Sequence, residues 1–349
     1  MEFGVFFKEI GIKAPDRCFE GVFEEALAEY QNSGVFFLED GYVEYVNSCE
    51  NCLSNCLEEA IEAAKLLRGN ETLAVYALFL YRAMGLRKIF LEHISTFEFP
   101  DGEDAARRLL PFIVLLPEIP RLYTKLKARR VPEDVIAATL RQFEDCAYLT
   151  RERTGHLGYL KRYFDHMQLY VDEKELNIGR LRFEMVQALE SNVLVLRNQL
   201  GEKVVLFDGA EINSAGRLYG TPPKRENESQ TTATVKETET SFYGFRAEEN
   251  GNCASGFLEY PKAIWKCALR KGDSVLSVHI PNKGALTKEA CEDSYRRAKA
   301  VFHECYPEFE YKAFYCHSWM LDPQLGEFLP EGSNILAFQR KFTPYAGQT

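Results

Sequence analysis

The chain has 349 residues, of which 46% are hydrophobic and 27% charged, and its formal net charge is -10. At about 150 residues per domain, that is material for two globular domains, each able to bury a core. The acidic balance argues against nucleic acid or an anionic membrane as the main partner, since both need a basic surface, yet it leaves room for a local basic pocket around one phosphorylated cofactor.

The opening stretch, MEFGVFFKEI, has no basic segment ahead of its apolar residues and no small-residue cleavage site behind them. The longest apolar runs, such as Phe112 to Leu116, fall far short of the roughly 20 residues that cross a bilayer. A cytoplasmic protein is therefore expected, with its ten scattered cysteines reduced. Phe19 to Tyr30 and Cys52 to Arg68 space their apolar residues as helices do. Asn70 to His93 continues as a mostly buried helix interrupted at Gly85. Asp101 is suited to cap the next helix through its carboxylate. The stretch that follows is predicted to be helices broken by Pro111, Pro117 and Pro120. Pro132-Glu133-Asp134 then opens a helix that runs to about Arg153. Residues 1–155 thus read as an all-helical domain.

Within this region Cys49, Cys52 and Cys56 would share one helix face. No fourth ligand accompanies them, so they are taken as reduced core thiols without a metal. The basic run from Arg121 to Arg130 is interleaved with Leu and Tyr at helical spacing, which fits a solvated helix face better than a nucleic-acid site.

Gly155-His156-Leu157-Gly158 marks a change of pattern, and residues 156–349 form the second expected domain. Alternating and β-branched runs in Asn177 to Leu189 and Ser191 to Leu206 predict strands. Residues 221–241 are polar and predict an exposed loop or insertion. Ser274 to Ile280 is predicted as a strand, Pro281 to Leu286 as a loop, and Thr287 to His303 as a helix capped by Thr287. Tyr311 to Met320 is then expected as a strand, Asp322 to Leu329 as a short helix, and Asn334 to Phe342 as a final strand. Strand, helix, strand, helix, strand is an α/β order, with the first two strands parallel because a helix of about 17 residues makes a crossover.

In this terminal order the run Val278-His279-Ile280-Pro281-Asn282-Lys283-Gly284-Ala285-Leu286-Thr287 resembles the strand–loop–helix of the GNAT superfamily. Two further stretches, Cys316 to Pro323 and Ser333 to Gln339, look like a bacterial family of acyltransferase-domain proteins. Ile178-Gly179-Arg180-Leu181-Arg182-Phe183-Glu184 and Lys271 to Pro281 fit the same family. Its members pair a helical N-terminal N-acyltransferase domain with a GNAT-like C-terminal domain. The resemblance implies an α+β protein, with an all-helical N-terminal domain followed by a GNAT-like mixed α/β domain. It implies acetyl-CoA or another acyl-CoA as co-substrate and no metal, with a small-molecule or peptide amine as acceptor. Ile280, Lys283, Gly284, Ala285, Leu286 and Thr287 would hold the cofactor: unpaired N–H groups at a helix start bind phosphate, and glycine lets the backbone come close. The superfamily loop carries an Arg or Gln and two closely spaced small residues, of which only Gly284 and Ala285 are present here.

His279 and His317, near the ends of adjacent strands, are candidates for a general base, a role that suits an imidazole titrating near neutrality. Alternation puts His317 and Trp319 on one face and Cys316 and Ser318 on the other, so Cys316 and His317 do not form a nucleophile pair. Glu184 is a candidate carboxylate base sharing a face with Arg182. Tyr315 or Tyr311 would serve as general acid toward the departing thiolate, a role the superfamily gives to tyrosine. An N-acyltransferase is the leading expectation. A GNAT-like binding or regulatory module without catalysis is the alternative, favoured by the reduced glycine loop, and a structural pseudoenzyme assembling through the acidic helices is a third.

Overall fold

The computed structural model describes residues 2–213, 230–248, 252–322 and 324–343. The chain divides after Asn177 into two compact units.

The first unit is helical. Its helices are α1 (Phe3–Glu9), α2 (Glu20–Ser33), α3 (Tyr42–Asn47), α4 (Leu57–Arg68), α5 (Glu71–Gly85), α6 (Arg87–His93), α7 (Ala105–Leu115), α8 (Glu118–Ala128), α9 (Glu133–Thr154) and α10 (Lys161–Val171). α5 is the centre: Asn70 accepts from the Leu73 N–H at 3.1 Å to cap it, and every residue from Leu73 to Tyr81 is buried. Phe79 meets Phe3, Phe7 and Phe23 at ring separations of 5.4 to 6.3 Å, which docks α1 and α2 on its surface. α10 follows the Gly155–Gly158 punctuation yet belongs to this unit.

Three local expectations are corrected here. The cap of α7 is Asp104, whose carboxylate accepts from the Arg107 N–H at 2.9 Å and pairs with the Arg107 guanidinium at 2.6 Å, so Asp101 lies outside the helix. Pro111 sits inside α7 rather than ending it. It removes one helical hydrogen bond, but all residues from Leu109 to Leu116 are buried, and that burial holds the helix across the break. Cys49, Cys52 and Cys56 lie in turns before α4, where Glu50 and Asn51 take left-handed backbone angles, so no helix face gathers them. All three are buried free thiols, and burial pushes Cys52 up to about 12. The basic run is met by acids: Arg121 pairs with Glu118, Lys127 with Glu133, and Lys125 and Arg129 with Glu173.

The second unit is rich in strands. They are β1 (Glu175–Ile178), at which the division falls, β2 (Leu181–Val186), β3 (Val193–Arg197), β4 (Lys203–Phe207), β5 (Ala210–Asn213), β6 (Gln230–Ala233), β7 (Lys236–Glu237), β8 (Ser241–Ala247), β9 (Cys253–Pro261), β10 (Lys266–Arg270), β11 (Val275–His279) and β12 (Ala313–Tyr315). The helices are α11 (Lys288–Cys305), α12 (Leu325–Phe328) and α13 (Asn334–Gln339). One sheet has the order β1-β2-β11-β12, and a second runs β10-β3-β4-β8-β7 with β9 beside β8. β11 runs antiparallel to β2 and, as its α11 crossover requires, parallel to β12.

Part of the expected loop, residues 221–229, lies outside the described residues. Gln230–Ala233 departs from that expectation: it is a strand paired with β5, as its β-branched threonines allow. The expected strand from Tyr311 to Met320 is extended only over β12; Ser318 then caps the Met320 N–H and starts a tight turn at Trp319–Leu321. The expected final strand is a helix, α13. Ser333 caps it by accepting from the Ile335 N–H at 3.2 Å, and Leu336 and Phe338 are buried. The Gln339 amide donates to the Met320 and Asp322 carbonyls at 2.7 and 2.8 Å, tying the helix to that turn. An apolar run this short does not distinguish strand from helix by periodicity.

No helix among the described residues is long and apolar enough to cross a membrane.

Candidate active site

Side chains alternate along strands, so the register of β2, β11 and β12 decides what shares a face. Glu184, Ser277 and Tyr315 are directly paired across the three strands and form one row. The next row toward the end of β11 pairs Arg182 with His279, and the row before it holds Val186, Val275 and Ala313. That apolar row is packed against Leu189 of the β2–β3 connection and against Val193, Val205 and Leu269 of the second sheet. This face therefore passes from apolar to polar along β11. The opposite face is aromatic: Tyr295 of α11 meets Phe314 at 5.0 Å and Phe183 at 6.0 Å. α11 thus covers one side and leaves the polar rows on the other.

His279 Nε2 lies 2.8 Å from Glu184 Oε2 and 3.4 Å from Ser277 Oγ. An ionised Glu184 accepts from Nε2–H, which fixes the tautomer that leaves Nδ1 with its lone pair. The imidazole is 31% exposed, enough for a solute to reach it. The Tyr315 hydroxyl is 2.9 Å from Ser191 Oγ, at the far side of the same row. His317 is placed apart: it lies beyond the end of β12 and is exposed, while Cys316 beside it is partly buried and its thiol is pushed up to about 12 by that burial. Tyr311 stacks on Phe309 at 6.1 Å, and burial raises its hydroxyl.

β11 and β12 stay paired only from Val275 to Ser277, although β11 continues to His279. Beyond that point β12 no longer pairs with β11. Ile280 to Thr287 leads from β11 to α11. Gly284 has φ +66° and Leu286 is buried, while Lys283, Gly284 and Ala285 are exposed. Thr287 accepts from the Ala290 N–H at 3.2 Å, as expected of an N-cap. Among the described residues, the N–H groups of Ala285 and Leu286 have no protein partner.

Three residues of this region carry no role in the sequence reading. Ser277 shares a face with His279 by simple alternation, a signal present in SVLSVHI. Ser191 and Arg180 are brought in only by the tertiary fold. As for metals, within the helical unit the described group whose donor atoms all lie within 4.8 Å of one another is Asp16, Cys18 and His93, not the three early cysteines.

Residues 176–349 match the model of a family described as the GNAT-like C-terminal domain. Among solved structures, the chain is similar to an acyltransferase in complex with decanoyl-CoA and teicoplanin, at 17% identity and a TM-score of 0.56 over 97% of this chain and 80% of that one. An acyltransferase in complex with CoA and 10C-teicoplanin matches at 18% identity over the same shares, with a TM-score of 0.56. An acyltransferase mutant in complex with octanoyl-CoA matches at 17% identity, again at 0.56 over 97% and 80%. At these identities the likeness concerns the fold. No curated protein sequence matches this chain. A helical region leading into a strand-rich domain with the α11 crossover is the architecture expected, and through residues 176–349 the chain belongs to the family of GNAT-like C-terminal domain proteins.

Proposed function

We propose that this protein is an acyl-CoA-dependent N-acyltransferase that moves an acyl group to the amine of a small-molecule or peptide acceptor. The observation that carries the reading is the His279–Glu184 pair, 2.8 Å apart at the end of β11, where β12 has stopped pairing. Coenzyme A would lie where β12 leaves the end of β11, with its pyrophosphate at Ile280 to Thr287. The solved acyltransferases of similar fold hold CoA, octanoyl-CoA and decanoyl-CoA, which supports an acyl-CoA here and makes medium-chain thioesters the first to try. The chemistry is assigned to the strand-rich unit that follows Asn177.

In this reading the acceptor amine forms the C–N bond at the thioester carbonyl while His279 Nδ1 takes its proton. Glu184 stabilises the resulting imidazolium. Collapse of the tetrahedral intermediate breaks the C–S bond, and the coenzyme A thiolate leaves. Tyr315, held by Ser191, is the group proposed to return a proton to it. A thioester is already activated, so orientation and one base suffice.

The test is thiol release from octanoyl-CoA with a panel of amines, followed for the wild type and His279→Ala. Turnover that falls roughly 100-fold or more in the variant supports the reading. Equal turnover would move the base elsewhere, and no turnover with any amine despite acyl-CoA binding would favour a binding module.

A further inference from the structure

The cofactor loop is held in place by a residue from the turn that opens the neighbouring strand, β2. Arg180 sits in the turn between β1 and β2. Its Nε donates to the Ala285 carbonyl at 3.1 Å and its Nη2 to the Gly284 carbonyl at 3.1 Å. Its own backbone N–H donates to Ser294 Oγ at 2.7 Å, which fixes the turn against α11. Gly179 makes that approach possible: its φ is +64°, and a Cβ there would lie 2.7 Å from Ser294 Oγ. The turn, the loop and the helix therefore form one unit with the guanidinium at its centre. Nη1 is also buried and has no protein partner among the described residues.

The consequence follows from peptide geometry. In a planar trans peptide the C=O and N–H point in opposite directions. Two consecutive carbonyls drawn to Arg180 therefore turn the next two N–H groups, those of Ala285 and Leu286, away from it. Among the described residues these two N–H groups have no protein partner. Paired outward N–H groups next to a helix start form a concave site for an anion.

We propose that Arg180 is the positioning residue of the cofactor loop: by holding the Gly284 and Ala285 carbonyls it presents the Ala285 and Leu286 N–H groups to the diphosphate of acyl-CoA. This rests on the acyl-CoA reading above. Arg180 touches the loop backbone, so its removal acts on the diphosphate end of the ligand and leaves the thioester end alone. Arg180→Met keeps the stem and loses both donors; Arg180→Lys keeps the charge but not the two-pronged geometry.

The experiment uses the full chain and two ligands, octanoyl-CoA and S-octanoyl pantetheine, which lacks the diphosphate and nucleotide. Calorimetry of the wild type, Arg180→Met and Arg180→Lys gives the affinities, with thermal unfolding as the check on folding. Octanoyl-CoA should bind roughly 10- to 100-fold more weakly to Arg180→Met, and by a smaller factor to Arg180→Lys, while S-octanoyl pantetheine binds all three alike. If Arg180→Met does not fold, the ratio of the two ligands' affinities in Arg180→Lys decides. Equal loss for both ligands would make Arg180 a general structural residue, and no loss for either would remove it from the loop's design; each overturns the proposal. If the wild type binds S-octanoyl pantetheine but gains nothing from the diphosphate, the positioning role falls alone. If it binds neither ligand at millimolar concentration, the acyl-CoA reading falls and takes this one with it.

Discussion

In the proposed reaction His279 and Glu184 divide the work of one base. As the proposed base, His279 would reach the acceptor, so His279→Ala should lower kcat about 100-fold or more while the KM for acyl-CoA stays within a few-fold, as steady-state kinetics at varied acyl-CoA would show. Glu184 would act through the imidazole it contacts. Glu184→Gln keeps the shape and loses the charge, so about a 10-fold loss is expected. Cys52 and Cys316 are not poised as nucleophiles. Burial pushes both Cys52 and Cys316 up to about 12, so these thiols stay protonated and unreactive at neutral pH. Unfolding would return them to their usual value near 9, where they begin to release protons that the folded chain still holds. Stability from this source is complete below about pH 9 and declines as pH rises toward 12. The denaturant midpoint should therefore fall between pH 8.5 and 10.5; a midpoint that rises over that interval would contradict the burial of these thiols. The types of the site residues are plain in the sequence. That His279 meets Glu184 across ninety-odd positions is a matter of strand register, which no local pattern encodes.

At the scale of elements, caps and turns carry most of the precision. Thr287 caps α11 as its place before the helix foretells, and Thr287→Ala should cost about 1 kcal/mol in chemical denaturation. Gly284 is a different case. A Cβ there would meet nothing within 4 Å, so the objection to a side chain is conformational: its φ of +66° is left-handed. Gly284→Val should then cost about 1–2 kcal/mol or flip the loop. The β11–α11–β12 crossover was legible because alternation gives way to a long amphipathic helix between two apolar strands. α13 was not. Four of its six residues, Ile335 to Phe338, are apolar on either reading, and the choice is made by the Ser333 cap and by burial of Leu336 and Phe338, which only the assembled domain supplies. Asp101 and Asp104 are equally good caps by residue type; the bidentate hold of Asp104 on Arg107 decides between them.

For the whole molecule, the acidic balance and the pattern of cores agree with two units, one helical and one strand-rich. The acidic surface has a kinetic consequence. An anionic ligand such as acyl-CoA meets a net charge of -10, so its association should speed up as salt screens the repulsion. Stopped-flow association at low and physiological ionic strength would show this, and a rate that falls steeply with salt would point instead to a strong local positive field. The measurement that bears most directly on acyl-CoA dependence is calorimetric titration of octanoyl-CoA into the wild type and Gly284→Val. A saturable one-to-one isotherm for the wild type, weakened at least 10-fold in the variant, is the expected result. No binding to either protein at millimolar ligand would contradict an acyl-CoA site at Ile280 to Thr287.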